Sequence, residues 1–429
     1  MGQLRVHQLE SAELGRRQPV ATHGAEGLVL QRRDHRDQAV LNFSLDDVAY
    51  LTSDEGSTAL TAVEALPLTD RVGEIARLRE TFGDRTPLLV ETVLLRRRGV
   101  AKLSDLPGSR DWLFTDEALQ QASAAPVALH RSKRLRGKVI HDVTCSIGTE
   151  LAAADGSAAR AVGSDLDPVR LAMARHNLGD AADLCRADAL HPVTRDTVVL
   201  ADPARRGAGR RRFNPRDYQP ALDHLFEAYR GREMVVKCAP GIDFDAVSQF
   251  GFDGEIEVTS YRGSVREACL WSVGLAEAGV RRRASVLDRD EQITDAEPDD
   301  CPVRTAGRWI VDPDGAVVRA GLVRHYGVRH GLWQLDPHIA YLSGDELPPG
   351  LRGFEVLEQL AFDERRLRQA LAALDCGSLE ILVRGVEVDP DALRRRLAVR
   401  GNRSLTVVVT RLGSGSAARG TAFICRPSW

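Results

Sequence analysis

The sequence predicts an α/β protein with a Rossmann-like, seven-stranded sheet, a helical domain before it and a small α+β domain after it. From residue 138 onward, short apolar runs alternate with amphipathic helices, as in GKVIHDV, DPVRLAMARHN and DTVVLADP. This βαβ order predicts a parallel sheet covered on both faces. Two more strand-like runs, 254–261 and 266–274, follow with little helix between them and predict an antiparallel pair.

Changes in pattern along the chain predict five segments. Ser44 is placed to cap a first helix, and apolar residues at helical spacing follow until Gly83, a suitable helix end. An Asp-Gly pair at 314–315 predicts a turn between two strands. The segments are a polar, poorly ordered 1–40, a helical domain 41–130, an α/β domain 131–275, a linker with a strand–turn–strand unit 276–350, and a β-α-β-α-β-β domain 351–429.

The composition is that of a soluble globular protein, with 43% hydrophobic and 28% charged residues and a formal net charge of −3. Only four of the 58 basic residues are lysine, so arginine abundance reflects a general bias and only arginine position is informative. The seven cysteines form no Cys-x-x-Cys pair and no zinc-ligand spacing. No leader or membrane-spanning run is visible. We therefore expect a cytoplasmic protein with free thiols, no membrane and no metal. The oligomeric state is not predicted.

Carboxylates mark the ends of successive strands. Asp142, Asp165 and Asp188 recur every 23 residues, and Asp202-Pro203 ends the fourth apolar run. In open α/β sheets, ligands bind outside the carboxyl ends of the strands, and an acid after the second strand suits ribose hydroxyls. Gly148 is expected to let the first turn approach the ligand closely. The turn lacks G-x-G-x-x-G, which argues against a dinucleotide site.

These strand ends, with the terminal antiparallel pair, resemble class I S-adenosylmethionine-dependent methyltransferases over roughly residues 131–275. The resemblance implies that the first turn surrounds the methionine part of the cofactor, that Asp165 holds the ribose and that Asp188 meets the adenine. The family usually has two or three glycines in that turn, whereas DVTCSIGTE keeps one. Asp167, before Pro168, is interpreted as a helix cap. The implied cofactor-binding residues are Asp142, Thr144, Cys145, Gly148, Asp165, Leu166, Asp188, Ala189 and Asp202.

The C-terminal motifs LEILVRGVEVDPDALRRRL and SLTVVVTRLG resemble the THUMP-like domain of a family of bacterial methyltransferases. THUMP-related domains are associated with RNA, so the resemblance implies an RNA partner, tRNA or rRNA. The arginine-rich loop after Asp202 is placed to meet phosphates. A solvated surface in an arginine-biased protein is the alternative. The candidate RNA-binding residues are Arg206, Arg210, Arg211, Arg212, Lys237, Arg394 and Arg395.

The fourth strand end, Asp202-Pro203-Ala204-Arg205, resembles the Asp-Pro-Pro-Arg of 5-methyluridine RNA methyltransferases. Those enzymes carry a nucleophilic cysteine after the fifth strand, where this chain has Cys238, and the neighbouring Lys237 is expected to lower its thiol pKa. A small buried side chain is the alternative interpretation of Cys238. Without a covalent nucleophile, Asp202 is expected to accept a proton from the acceptor. The candidate catalytic residues are Asp202, Pro203, Arg205 and Cys238.

Three functions remain open from the sequence. The leading hypothesis is a methyltransferase that modifies a base in RNA. The alternatives are a methyltransferase for a small molecule or protein, and a non-catalytic RNA-binding protein that keeps the fold. Gln120 and Ser123, in the segment before the first strand, are weaker candidates for contact with cofactor or RNA.

Overall fold

The computed structural model describes residues 41–69, 71–205, 215–413 and 418–429. The segment 1–40, predicted to be poorly ordered, lies outside these residues. No helix of the described chain is long and apolar enough to cross a membrane. Six described helices precede the first strand: α1 (Leu45–Leu51), α2 (Asp54–Glu64), α3 (Arg71–Phe82), α4 (Thr86–Leu103), α5 (Asp116–Gln121) and α6 (Ala125–Arg134).

Local chemistry explains where these helices start. Ser44 caps α1 as predicted: the Asp47 amide donates to Ser44 Oγ (3.2 Å), and the Ser44 amide donates to Asp47 Oδ2 (2.9 Å). Thr115 caps α5 in the same way, with its side chain accepting from the Ala118 amide. α4 is the central helix of the group, because Leu89 and Val93 are fully buried. The predicted helical domain is thus present as helices around one apolar helix.

The α/β part contains the predicted strands and the helices between them. Its elements are β1 (Val139–Asp142), α7 (Thr149–Ala154), β2 (Arg160–Asp165), α8 (Pro168–Leu178), β3 (Asp183–Arg186), β4 (Val198–Ala201), β5 (Ala204–Arg205), β6 (Tyr218–Gln219), α9 (Leu222–Ala228), β7 (Met234–Cys238), α10 (Phe244–Gln249), β8 (Gly254–Tyr261), β9 (Ser264–Ser272), β10 (Arg282–Val286) and β11 (Glu291–Thr294).

Nine of the described strands form the first sheet, in the order β11-β10-β8-β9-β7-β4-β1-β2-β3. Strands β3, β2, β1, β4 and β7 are mutually parallel, and β9 runs antiparallel between β7 and β8. The seven predicted strands and their antiparallel pair are therefore confirmed. β5 and β6 pair separately as a short ribbon that flanks residues 206–214.

The segment 276–350 is not the linker that the sequence suggested. Residues 282–286 form β10, which pairs in parallel with β8, and β11 pairs with β10. The charged residues of 281–300 suggested a solvated linker. One of them, Arg283, is instead buried, and its Nε donates to Glu255 Oε1 at 2.7 Å. A buried arginine with a carboxylate partner occupies a strand position that a solvated linker would not provide.

The predicted strand–turn–strand unit is also corrected. The first strand exists as β12 (Trp309–Val311), but the Asp-Gly pair begins a helix, α11 (Gly315–Ala320). Asp314 caps it, because its Oδ1 accepts from the Ala316 amide at 2.8 Å. Ala316 and Val317 are fully buried against the first sheet's core. Burial of one helix face outweighed the turn preference of the Asp-Gly pair.

The second sheet joins this segment to the C-terminal part. Its remaining elements are α12 (Val323–Arg329), β13 (Trp333–Asp336), β14 (Ile339–Gly344), β15 (Gly353–Ala361), α13 (Glu364–Ala373), β16 (Cys376–Arg384), α14 (Pro390–Leu397), β17 (Arg403–Leu412) and β18 (Arg419–Pro427). The strand order is β13-β14-β12-β15-β18-β17-β16. From β15 onward the order β-α-β-α-β-β is as predicted.

Both faces of the second sheet are covered. On β17, Val407 and Val409 pack with the residues of α13 and α14, while Val408 packs in a separate cluster with Phe354 and Phe423. The alternation of side chains along a strand sends neighbouring valines to opposite faces. The run VVV is therefore apolar throughout because each face has its own core.

The turn between β1 and α7 depends on Gly148. Its φ is +88°, and a Cβ at this position would lie 2.6 Å from Leu178 Cδ1. The left-handed backbone and the close approach of Leu178 both exclude a larger residue. Gly148 therefore packs the turn against α8.

We expect Gly148→Ala to lower the free energy of unfolding by about 2–4 kcal/mol, through backbone strain and overpacking together. Gly137→Ala is the matched control, because Gly137 also has positive φ (+71°) but open space around its Cβ position. That control should cost about 1 kcal/mol. Urea unfolding measures both, and equal losses in the two variants would show that Leu178 imposes no packing constraint.

Candidate active site

A cavity of about 840 Å³ opens at the carboxyl ends of β1, β2, β3 and β4. This is the edge at which ligands bind in open α/β sheets. Eight of the nine residues implied for the cofactor line it: Asp142, Thr144, Cys145, Asp165, Leu166, Asp188, Ala189 and Asp202. The fold thus brings together residues that are separated by up to 60 positions in the sequence.

Several candidate residues are not among the described residues that line the cavity. Gly148 packs against Leu178, so its expected close approach to a ligand is corrected. Pro203 is buried between the cavity residues Asp202 and Ala204. The backbone of Arg205 forms β5, and Arg206, Arg210, Arg211 and Arg212 lie outside the described residues.

Asp165 ties two backbone turns together beside the cavity. Its Oδ2 accepts from the Ser146 amide and its Oδ1 from the Asp167 amide, both at 2.9 Å. Each carboxylate oxygen can accept a second hydrogen bond, which suits ligand hydroxyls. Asp167 itself caps α8, because its side chain accepts from the Val169 and Arg170 amides. The interpretation of Asp167 as structural is confirmed.

Asp188 lies at the other end of the cavity. Its Oδ1 accepts from the Leu190 amide at 2.9 Å, and 42% of its side chain is exposed. Leu166, which is 57% exposed, adds an apolar wall beside it. A partly exposed carboxylate next to an apolar surface suits an amino-substituted aromatic ring.

Asp142 is buried at the base of the first turn. Its Oδ1 accepts from the Thr144 amide at 3.1 Å. Burial, followed by the negative charge of Glu150, raises the pKa of Asp142 to about 7. Thr144 in turn accepts from the Asp202 amide through its Oγ1 at 2.7 Å, which connects the ends of β1 and β4.

The lining also contains polar atoms that call for a ligand. The hydroxyl oxygens of Ser146 and Thr149 are buried at the cavity, and within the described chain neither has a hydrogen-bond partner. Buried polar groups without a partner are costly and rare. Together with Asp165 and Asp188, the acids expected to meet the ribose and the adenine, these hydroxyls fit S-adenosylmethionine, and the cavity is of the size expected for such a ligand.

The segment from α5 to residue 123 covers one side of the cavity. Glu117, Gln121 and Ser123 line it, so the candidate Ser123 is at the site, whereas Gln120 is not in the described lining. Lys102 holds this segment, because its Nζ donates to the carbonyl oxygens of Leu119 (2.7 Å) and Gln120 (2.8 Å). The helical domain therefore supplies part of the cavity wall.

Lys237 is placed differently from the prediction. It was a candidate for phosphate contact, but it is only 8% exposed. Its Nζ pairs with Asp202 Oδ2 and lies 3.3 Å from Glu150 Oε1. Sequence reasoning missed Glu150, which resembles an ordinary acidic residue in a first helical turn. Only its tertiary pairing with Arg131 and Lys237 distinguishes it.

Cys238 does not face the cavity. Successive residues of a strand point to opposite faces, so Lys237 and Cys238 diverge. Cys238 is 5% exposed, packs in an apolar cluster and has the Val236 carbonyl at 3.9 Å from its sulfur. Burial raises the pKa of this thiol well above its usual range. The expected lowering by Lys237 is wrong, and the alternative of a small buried side chain accounts for Cys238.

Comparison with known proteins identifies parts of the chain. Residues 351–427 match the family model of a THUMP domain-like domain, and residues 44–99 match a domain of unknown function, DUF8688. The first match covers the β-α-β-α-β-β unit.

Whole-chain relatives come from Mycobacterium tuberculosis. Proteins of strains CDC 1551 and H37Rv, each described as an uncharacterized S-adenosylmethionine-dependent methyltransferase, are 72% identical over 357 residues, which is 82% of this chain and 100% of each relative. The crystal structure of a Porphyromonas gingivalis W83 protein assigned to the methyltransferases has a TM-score of 0.65 at 18% identity and covers 84% of this chain and 99% of its own. That structure shows the same fold.

Asp165→Ala should weaken S-adenosylhomocysteine binding about 10- to 100-fold, because a charged hydrogen-bond acceptor is lost at the ligand and at the Ser146 turn. Isothermal titration calorimetry measures this affinity. Asp167→Ala is the control, since it removes a cap worth about 1 kcal/mol of stability but no residue of the cavity lining. The affinity of Asp167→Ala for S-adenosylhomocysteine should stay within about threefold of the parent value. Equal affinity in all three proteins would contradict the assignment of Asp165.

The pKa of Asp142 predicts a pH dependence of the cofactor-free protein. Because the folded state keeps this proton up to about pH 7 and the unfolded state releases it near 3.8, stability should fall as pH rises between these values. Asp142→Asn removes this loss, so relative to the parent it should gain roughly 2–4 kcal/mol between about pH 4.5 and 7.5.

Urea unfolding at the two pH values provides the measurement. Asp155→Asn, at an exposed position, is the control and should shift equally at both. If the difference in free energy of unfolding between the parent and Asp142→Asn does not change with pH, Asp142 is ionised in the folded state.

Proposed function

The chain belongs to the family of S-adenosylmethionine-dependent methyltransferases that the mycobacterial proteins represent, and from this premise we propose that it methylates a nitrogen of a base in RNA. It is an enzyme, and S-adenosylmethionine is its cofactor. Transfer RNA and ribosomal RNA are the candidate species. The seven cysteines include no disulfide within the described residues, which fits our further proposal of a cytoplasmic location.

The observation that carries the proposal is the position of Asp202. It directly follows β4 at the cavity, 35% of its side chain is exposed, and Lys237 pairs with its Oδ2. Within the described residues its Oδ1 accepts no hydrogen bond. The cavity continues past Asp202 to Gln219, Pro220 and His224, beyond the residues assigned to the cofactor. This continuation is where an acceptor would enter.

The chemistry needs a group that accepts a proton at this point. When bound, S-adenosylmethionine supplies a methyl group on a sulfonium sulfur, which keeps the electron pair of the broken S–C bond. The acceptor nitrogen forms the new N–C bond with its lone pair and then carries one proton too many. In this proposal, Asp202 Oδ1 accepts that proton before it passes to solvent.

A nitrogen acceptor fits better than C5 of uridine. Carbon methylation at C5 requires a nucleophile that adds to the ring, and a thiolate is the group expected. Cys238 is buried on the other face of β7, and burial raises the pKa of Cys145, the cysteine of the cavity lining, well above its usual range. The resemblance of Asp-Pro-Ala-Arg to the 5-methyluridine enzymes therefore does not extend to their cysteine.

Support for RNA comes from the C-terminal domain. The THUMP domain-like match implies a nucleic-acid partner through the family resemblance. On α14, Arg395 is exposed, whereas Arg394 donates from Nε to the Leu379 carbonyl at 3.0 Å and pairs with Asp391 at 2.5 Å. Arg395 is thus the more available of the two predicted contacts, and Arg394 also anchors its helix to β16.

A base held in a duplex would have to leave the stack to reach Asp202. The cavity wall formed by Gln219, Pro220 and His224 would then surround a single base, while arginines outside the cavity would contact phosphates. This division fits the lining of the cavity, in which seven acidic residues accompany only two described arginines, Arg170 and Arg216, although the protein is rich in arginine.

The test is transfer of labelled methyl from S-adenosylmethionine into total RNA from a strain that lacks the gene. We expect label that is sensitive to ribonuclease, falls about 100-fold or more in Asp202→Asn, and is recovered as an N-methylated nucleoside. Cys238→Ala should retain activity within about threefold, because its thiol takes no part in the transfer.

Label in small molecules or protein instead of RNA would overturn the RNA proposal and leave the enzyme class unchanged. Recovery of a C5-methylated uridine, together with loss of activity in Cys238→Ala, would overturn the nitrogen acceptor.

A further inference from the structure

A line of alternating charges runs beneath the cavity and ends at Asp202. Glu267 on β9 pairs with Arg131 on α6, and Arg131 pairs with Glu150 on α7. Glu150 pairs with Lys237 on β7, and Lys237 pairs with Asp202. Four elements of the fold and the residue that follows β4 therefore meet through one continuous chain of ion pairs.

Burial separates the last member of this line from the others. The side chains of Arg131, Glu150, Lys237 and Glu267 are 3%, 9%, 10% and 10% exposed, whereas that of Asp202 is 35% exposed. Three carboxylates and two cations leave one net negative charge. Asp202 is the member that can present this charge to a ligand.

The line holds its inner charges firmly. Burial alone would raise the pKa of Glu150, but Arg131 and Lys237 outweigh it and hold that pKa at about 2. Burial alone would lower the pKa of Lys237, but Asp202 and Glu150 raise it well above its usual range. Lys237 therefore stays charged at any working pH and cannot itself take a proton from an acceptor.

We propose that Lys237, held from behind by Glu150, is the positioning residue for Asp202: it fixes Oδ2, so that Oδ1 alone is turned to the acceptor. This inference rests on the proposed proton transfer to Asp202. The Asp202 backbone is fixed independently, because its amide donates to Thr144 Oγ1 at 2.7 Å. Because the Asp202 amide and Asp202 Oδ2 are both held by hydrogen bonds, the Asp202 side chain keeps little conformational freedom.

The choice of lysine matters for this role. A lysine ammonium is a compact charge that can hold one carboxylate oxygen, whereas an arginine fork tends to engage both oxygens. A bidentate partner would occupy Oδ1 as well. The line thus orients Asp202 while leaving one oxygen available.

Steady-state kinetics test the role of Lys237. In Lys237→Met we expect kcat for RNA methylation to fall about 100-fold, with KM for RNA and the affinity for S-adenosylhomocysteine within about threefold of the parent. Lys237→Arg should be more active than Lys237→Met, with a kcat within about tenfold of the parent. An arginine supplies the positive charge but not the contact to Asp202 Oδ2 alone. Lys138→Met, at an exposed position, is the control and should keep the parent kcat.

Loss of a buried charge can unfold a protein, so each variant is checked by circular dichroism. Glu150→Gln is the second variant, because it keeps the size of the side chain while removing the charge behind Lys237. We expect its kcat to fall about tenfold with cofactor affinity retained. A kcat within threefold of the parent in folded Lys237→Met would overturn the inference.

A second readout does not depend on the substrate. The chain has only four lysines, so ¹⁵N-lysine labelling gives four Nζ signals, and Lys237→Arg identifies that of Lys237. We expect this signal to shift in Asp202→Asn and to remain protonated through alkaline pH. If the parent enzyme transfers no methyl to RNA, the proposed function fails, while this signal still decides whether Lys237 holds Asp202. An unmoved signal in Asp202→Asn would overturn the inference.

Discussion

The pairing of Arg131 with Glu150 and Glu267 is the interaction on which the rest of the site depends. Arg131 lies on α6, which comes from the helical domain, and its two partners lie on α7 and β9 of the first sheet. A buried guanidinium between two carboxylates is tolerated only if all three are paired, and removing one partner leaves the others as uncompensated charges. This constraint fixes α6 against the sheet and places Glu150 where it can hold Lys237.

The same helix carries a second arginine one turn later. Arg134 pairs with Glu255 and Glu257 on β8 and lies over the ring of Trp271, at 3.8 Å from its centroid. Glu255 also receives Arg283 from β10. The two arginines of α6 therefore pair with two separate sets of buried acids. The acids of Arg131 connect to the cavity through Glu150, and those of Arg134 connect to β10 through Glu255. This arrangement makes the helical domain an integral part of the methyltransferase core.

Sequence patterns predicted what depends on local order. Short apolar runs with acids at their ends located the strands, and Asp142, Asp165, Asp188 and Asp202 meet at one cavity because parallel strands end at one edge. The sequence could not show that Ser146 adopts a positive φ (+49°), or that Asp165 accepts a hydrogen bond from its amide. It also could not show the partners of Arg131, Lys237 and Arg283, because these pairs join residues far apart in the chain. Of the two interpretations of Cys238, the nucleophile does not fit, because Lys237, its neighbour in sequence, faces the opposite side of the strand.

The proposed function depends above all on the transfer of a proton from the nitrogen of an RNA base to Asp202. The most direct measurement is nucleoside mass spectrometry of RNA from a strain lacking the gene, complemented with the parent gene or with Asp202→Asn. We expect that one N-methylated nucleoside is absent from the deletion strain, returns with the parent gene and stays absent with the variant. Identical nucleoside profiles in all three strains would contradict it.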